Sequence, residues 1–271
     1  MKKFFVLALL LLTAACSRLD VGVRFADTYM MYETDRFFDL TSAQDKELKP
    51  DVKALVADVR REDFPKIADF LEKVSGSLKS KNPDRARLDL WFQEARELLR
   101  VSIARLEPLA LKVADFADEK QEKHFAGTFR KETEKLRDKY STPEKALRQD
   151  RKRVERWLDF FALDLNREQE KGLKEFLSEH PTPVELQTRS REKFLGEFLA
   201  TPKAERPAWI RRFHQNPDRF RTEESERARL RREEAVKDYL VKLWASLSDK
   251  QRGEALKMLD KKIADLRRLS L

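Results

Sequence analysis

The chain has 271 residues, 41% of them hydrophobic and 39% charged, with six glycines, one cysteine and a formal net charge of +9. Eighteen Phe and four Trp supply enough apolar surface for a packed core, which excludes a disordered tail. A single thiol excludes an internal disulfide framework, so packing alone must hold the fold. With few glycines and no alternating apolar pattern, the chain reads as all-α, an elongated or globular multi-helix bundle of about ten helices.

The first segment is a leader. Met1-Lys2-Lys3 precede an apolar run over residues 4–12 that closes on Leu12-Thr13-Ala14-Ala15-Cys16-Ser17. The run is too short to cross a membrane, which takes roughly 20 apolar residues. A basic start, a short apolar stretch and small residues at its end are the pattern of a secretory signal peptide. With a cysteine directly behind the small pair, the stretch resembles the lipobox of bacterial lipoproteins, although Thr13 stands where such boxes usually carry Leu. The resemblance implies that residues 1–15 are removed as a signal peptide and that Cys16 becomes the acylated N-terminus. One acyl chain anchors marginally, at about 0.8 kcal/mol per buried methylene, whereas two or more hold firmly. Ser17 in place of Asp after the cysteine implies, by the enterobacterial sorting rule, the outer membrane facing the periplasm. An ordinary cleaved leader and a buried N-terminal helix are the other readings of the same residues.

Without Lys2 and Lys3 the chain carries 56 basic against 49 acidic residues, a net charge of +7. In the cytosol that excess would point to nucleic acid. Export redirects it to anionic lipid or an acidic envelope protein, and no nucleic-acid partner is expected.

Residues 16–39 are expected to be a lipidated tether running into a first helix, with Val21, Phe25, Tyr29, Met30, Tyr32, Phe37 and Phe38 along it. Residues 40–271 form the helical body. Its first helix starts at Leu40-Thr41-Ser42-Ala43-Gln44, where Thr41 and Gln44 make a capping box. Leu48, Val52, Leu55, Val56 and Val59 continue it at helical spacing, and Pro50 should kink it. Arg60-Arg61-Glu62-Asp63-Phe64-Pro65 leads into a second helix that stops near Gly76. Asn82-Pro83 opens a third, with Pro108 near its end. Asp118 and Gln121 repeat the box, Thr142-Pro143 starts another helix, and Asn166 with Gln169 restates the first motif. Thr182-Pro183 and Thr201-Pro202 are further starts. Asn216-Pro217 begins a long charged helix, and Ser248 with Gln251 caps the last.

Residues 40–49 read LTSAQDKELK and residues 165–174 read LNREQEKGLK. The second boxes follow the first at nearly equal intervals. The pattern fits a duplicated unit over 40–140 and 165–270, and it fits equally the convergence of good helix starts.

In order along the chain, Cys16-Ser17, Leu40-Thr41-x-x-Gln44 and Arg60-Arg61-Glu62-Asp63-Phe64-Pro65-Lys66 resemble an uncharacterised family of proteobacterial lipoproteins. That resemblance implies an all-helical fold and no assigned activity. An aromatic residue and a His often precede the arginine pair in that family; here Asp58 and Val59 stand in those places. The Leu-Thr-x-x-Gln signature separately resembles that of the small helical periplasmic chaperones of the envelope stress response.

His124, His180 and His214 lie far apart with no metal-ligand spacing, and no nucleophile-elbow or phosphate-loop motif is present. No cofactor and no enzymatic activity are expected. Basic runs over 148–156 and 227–232 contain acids or sit beside them and read as intrahelical ion pairs. Trp209, Arg211, Arg212, Phe213, Arg219 and Arg221 mix aromatic and guanidinium groups with few acids, a candidate surface for an anionic partner. The functional expectation is a membrane-anchored helical binding or scaffold lipoprotein, the alternative a periplasmic chaperone for unfolded clients.

Overall fold

The computed structural model describes residues 18–80 and 82–270, and every regular element in them is helical. The expected leader and Cys16 lie outside the described residues. The helices in chain order are α1 (Arg18–Arg24), α2 (Ala26–Phe38), α3 (Ser42–Asp58), α4 (Phe64–Ser80), α5 (Arg85–Ala104), α6 (Glu107–Phe116) and α7 (Glu119–Lys139). They continue as α8 (Pro143–Phe160), α9 (Arg167–Glu179), α10 (Val184–Ala200), α11 (Arg206–Gln215), α12 (Glu223–Ser246) and α13 (Asp249–Leu269). The expected all-α bundle is the architecture found.

Helices α3 and α4 form one rod. Pro50 sits inside α3, which runs on past it. The separation expected at residues 60–65 is instead a π-turn, Val59–Asp63, in which the Phe64 N–H bonds the Val59 carbonyl five residues back. Pro65 has no N–H to give Arg61, and one wide turn accommodates that loss without ending the helix. Gly76 lies within α4 and does not stop it.

Several expected starts fall elsewhere. Asp84, not Asn82, caps α5 by accepting from the Arg87 N–H at 2.9 Å. The third helix divides at Arg105 and Leu106, so Pro108 sits near the start of α6. Thr182 caps nothing: its hydroxyl donates to Asp150 and accepts from Arg153 Nη1 at 3.1 Å, and Pro183 precedes α10 without a side-chain cap. Thr201-Pro202 leads into a 3-10 turn, Lys203–Glu205, before α11. Asn216-Pro217 leads into another, Pro217–Phe220, and α12 begins behind Thr222. In these cases the proline disfavours a helical residue before it; α5 and α12 then start behind a capping side chain, Asp84 and Thr222, whereas α10 and α11 start without one.

Apolar packing gathers in three clusters. Met31, Leu48, Val52 and Val113 tie α2 and α3 to α6. Ala68, Leu259, Ile263 and Leu266 tie α4 to α13. Phe198, Trp209, Ile210 and Phe220 tie α10 to α11, with Phe125 and Phe194 against them. The packing is reciprocal: α4 from the first half lies along α13 of the second, and α10 from the second lies along α7 of the first.

Candidate functional site

All four capping boxes are formed, and they meet in pairs. In each box the side chain of Thr41, Asp118, Asn166 or Ser248 accepts the N–H three residues on. The glutamine amide oxygens accept the cap N–H groups in return, at 2.9 Å for Gln44, 3.1 Å for Gln121 and 2.9 Å for Gln169 and Gln251. Each glutamine then uses its NH2 on a partner box. Gln44 Nε2 donates to Gln121 Oε1 at 3.2 Å, and Gln121 Nε2 returns the bond to Gln44 Oε1 at 2.7 Å. Gln169 and Gln251 make the same exchange at 3.3 Å and 2.9 Å.

The remaining amide hydrogens go to backbone. Gln44 donates to the Phe116 carbonyl at 3.1 Å and Gln121 to that of Asp39 at 3.1 Å. Gln169 donates to the Ser246 carbonyl at 2.9 Å and Gln251 to that of Asp164 at 2.7 Å. Every acceptor stands two residues before the partner's cap. Four helix starts are thus held in two glutamine clasps of matching geometry, one in each half. Gln121 and Gln169 are buried, Gln44 and Gln251 half-buried. Spacing identified the boxes as caps, but the pairing needs the tertiary fold.

Charges inside the bundle are committed to helix joints. Asp63, buried at the π-turn, accepts from Ser102 Oγ at 3.1 Å and Arg105 Nε at 2.9 Å. Asp150 accepts from the Thr182 backbone N–H at 2.8 Å and hydroxyl at 2.5 Å, with Arg153 and Arg232 each at 3.8 Å. Burial lowers the Arg232 pKa and Asp150 partly restores it; burial likewise raises that of the nearby Tyr140. Arg206 forks onto Glu122, with Nη2 to Oε2 at 3.0 Å. Lys237 reaches Asp89 at 2.8 Å, Glu234 at 2.9 Å and Glu233 at 3.1 Å. Asp150 lies in the basic run 148–156, which the sequence presented as a solvated ion-pair face. Its burial between helices carries no local signal.

The expected mixed aromatic and guanidinium surface does not form as such. Trp209 is only 5% exposed and belongs to the core. Its ring centroid lies 4.9 Å from Phe220, 5.0 Å from Phe194, 5.3 Å from Phe198 and 6.2 Å from the half-buried Phe213. Apolar area outweighs any contact these rings could make in water. The guanidiniums remain outside. Arg211 approaches Glu107 at 3.8 Å and Arg221 pairs with Asp218 at 2.9 Å, while the exposed Arg212 and Arg219 have no ion pair among the described residues.

The histidines have packing roles. His214 Nδ1 is 2.9 Å from the Ile210 carbonyl, His124 Nε2 is 3.1 Å from that of Arg36, and His180 ends α9. No group of three metal-ligating side chains exists among the described residues. An apolar pocket of about 300 Å³ is lined by Phe38, Phe125, Phe194, Phe198, Trp209 and Phe213, with Arg206 at its wall. An open groove of about 690 Å³ between α9 and α12 carries the exposed carboxylates of Glu168, Glu175, Glu179 and Asp238. Phe176 and Tyr239 stack across it at 4.4 Å.

An all-α bundle whose helix starts are joined by paired glutamines defines the class. The chain belongs to a family of unknown function, DUF6279, whose model matches residues 36–225. That span includes the boxes at Gln44, Gln121 and Gln169 and the π-turn motif, and leaves α13 outside. No curated protein and no solved structure matches the chain.

Proposed function

We propose that the protein is a non-enzymatic bacterial envelope lipoprotein, acylated at Cys16, that holds a helical binding or scaffold body at the outer membrane facing the periplasm. The observation that carries this reading is the single cysteine directly behind Ala14-Ala15 at the end of a short apolar run. The described helices begin at Arg18, two positions later, so the body would follow the anchor with almost no linker. No helix among the described residues is long and apolar enough to cross a membrane. Support for a binding role over catalysis comes from Asp63, Asp150, Arg206 and Lys237, whose charges join helices. The same reading takes residues 40–140 and 165–270 as two copies of one unit, supported by the twin clasps and the reciprocal packing of α4 on α13 and α10 on α7. The partner is an acidic envelope protein or anionic lipid, for which Arg211, Arg212, Arg219 and Arg221 supply guanidiniums.

Cys16→Ala should move the protein from the membrane fraction to the soluble fraction and abolish incorporation of labelled palmitate. Retention of Cys16→Ala in membranes, or wild-type protein that takes up no palmitate, would refute acylation. One observation favours a periplasmic chaperone as a second reading: the aromatic pocket beside Arg206 suits a large apolar side chain of an unfolded client. Suppression of aggregation of a reduced client separates the two, since a scaffold has no effect at several-fold excess.

A further inference from the structure

Four large side chains along the first two helices and the single-residue joint between them stay about half exposed or more. Val21, Phe25, Tyr29 and Tyr32 are 49%, 55%, 64% and 60% exposed. Their spacing is four, four and three residues, and across the joint the Phe25 N–H bonds the Val21 carbonyl at 3.2 Å and the Tyr29 N–H that of Phe25 at 2.9 Å, which keeps them along one side. Elsewhere on α2, Met31, Met30 and Phe38 pack into the α2–α3–α6 cluster, so the stripe is not the face by which this helix joins the bundle. Water is a poor environment for such a row. Tyrosine rings, with an apolar body and a hydroxyl kept wet, are enriched where hydrocarbon meets head groups, and Val21 and Phe25 add purely apolar surface beside Tyr29 and Tyr32.

The edge of the stripe is cationic. A groove of about 450 Å³ runs beside it, with Val21 and Phe25 at one wall and Arg24, Lys53 and Arg60 around it. Asp20, also in the groove, is held by Arg268 at 2.7 Å, and Asp27 accepts the Thr28 N–H at 2.7 Å. Arg24 and Lys53 are exposed and have no ion pair among the described residues. Charge complementarity therefore favours an anionic surface.

Chain length brings that surface within reach. Val21 is five positions from Cys16, and even a fully extended chain spans about 18 Å over that distance. From Val21 to Tyr32 the helical rise adds only about 16 Å. A body moored at Cys16 cannot carry the stripe far from the bilayer.

We propose that this stripe, with its Arg24 and Lys53 rim, lies in the head-group layer of an anionic bilayer, a second attachment that sets the body's orientation. The proposal rests on acylation of Cys16. It adds a contact that a simple tether would lack, and it assigns the stripe to lipid instead of a second copy of the chain.

The test uses the full-length acylated protein in phosphatidylcholine vesicles, with or without phosphatidylglycerol, that contain lipid with a nitroxide head group. Phe25→Cys, Tyr29→Cys and Tyr32→Cys each present a free thiol for a fluorophore, because acylation blocks Cys16. Leu230→Cys on α12 is the reference. The labels on the stripe should be quenched several-fold more than the reference, and Arg24→Glu with Lys53→Glu should reduce that quenching only in vesicles containing phosphatidylglycerol. Quenching equal to the reference overturns the proposal. Energy transfer between labelled copies in place of lipid quenching also overturns it and makes a second copy the occupant. Palmitate content of the same samples separates the two claims: palmitate present with an unquenched stripe defeats the docking alone. Palmitate absent defeats the anchor, and the same labels on a Cys16→Ala background then decide the stripe.

Discussion

The rods that leave the first box of each half make an instructive pair. Both begin at a clasped glutamine, Gln44 or Gln169, and both must deliver a second helix onto the far half of the molecule. The first, α3–α4, stays continuous through its π-turn. The second, α9–α10, is broken between His180 and Pro183. When residue 40 is set on residue 165, residues 55–58 fall on 180–183, so the two irregularities occupy nearly the same register. A single proline, Pro65, removes one donor and a wide turn absorbs it. Pro181 and Pro183 remove two donors and hold the intervening backbone extended, which no helical turn accommodates. Thr182 is then stranded, and Asp150 meets its N–H and hydroxyl. Bending and breaking solve the same packing problem, but the break depends on a buried carboxylate brought from another helix.

That contrast can be broken by experiment, most strongly at the buried acids. Asp150→Ala strands the Thr182 N–H and leaves Arg153 and Arg232 without their counter-charge; it should cost about 3 kcal/mol in urea unfolding. Asp63→Ala should cost about 2 kcal/mol, because it strands no backbone N–H and takes the counter-charge from one guanidinium, Arg105, instead of two. Equal losses at the two sites would remove the asymmetry between broken and bent rods.

At the clasps the halves should instead agree. Gln121→Leu and Gln169→Leu each orphan a cap N–H and a backbone carbonyl, for a loss of about 2 kcal/mol apiece. Adding Gln44→Leu or Gln251→Leu to its own partner should cost clearly less than the sum of the two single losses. Strict additivity would mean that the amides do not act as pairs.

A smaller effect is expected at Pro65→Ala, about 1 kcal/mol or less. The replacement restores a donor beside the π-turn while Asp63 still holds that turn to Arg105. The smallest difference concerns Tyr239, whose phenol burial pushes up to about 12, with the Glu170 carboxylate adding to the rise. An unfolded phenol ionises near 10. Stability from this group is therefore fully present below pH 10 and is lost as pH rises towards 12. Tyr239→Phe should flatten that alkaline slope while changing neutral stability little, because the Tyr239 hydroxyl has no hydrogen-bond partner among the described residues. An unchanged slope in the variant would assign the alkaline loss to other groups.

The sequence by itself determined the elements that depend on local chemistry. Helical spacing of apolar residues implied an all-α chain, and the four boxes marked helix starts because a cap and the residue three positions on meet in any well-formed first turn. It also contained the lone Cys16 behind small residues, on which the membrane reading stands. Only the tertiary structure decided where the side chains were spent. Trp209 looked like part of a binding surface because guanidiniums surround it in sequence, yet aromatic neighbours from α10 and the turn before α12 bury it. Asp150 looked like one more solvated acid, and it closes a break thirty residues away in the chain. The capping glutamines were legible one at a time, but their pairing was not. The reason is common to all three: local sequence sets the geometry of a turn, whereas burial and hydrogen-bond satisfaction depend on which distant backbone arrives opposite it.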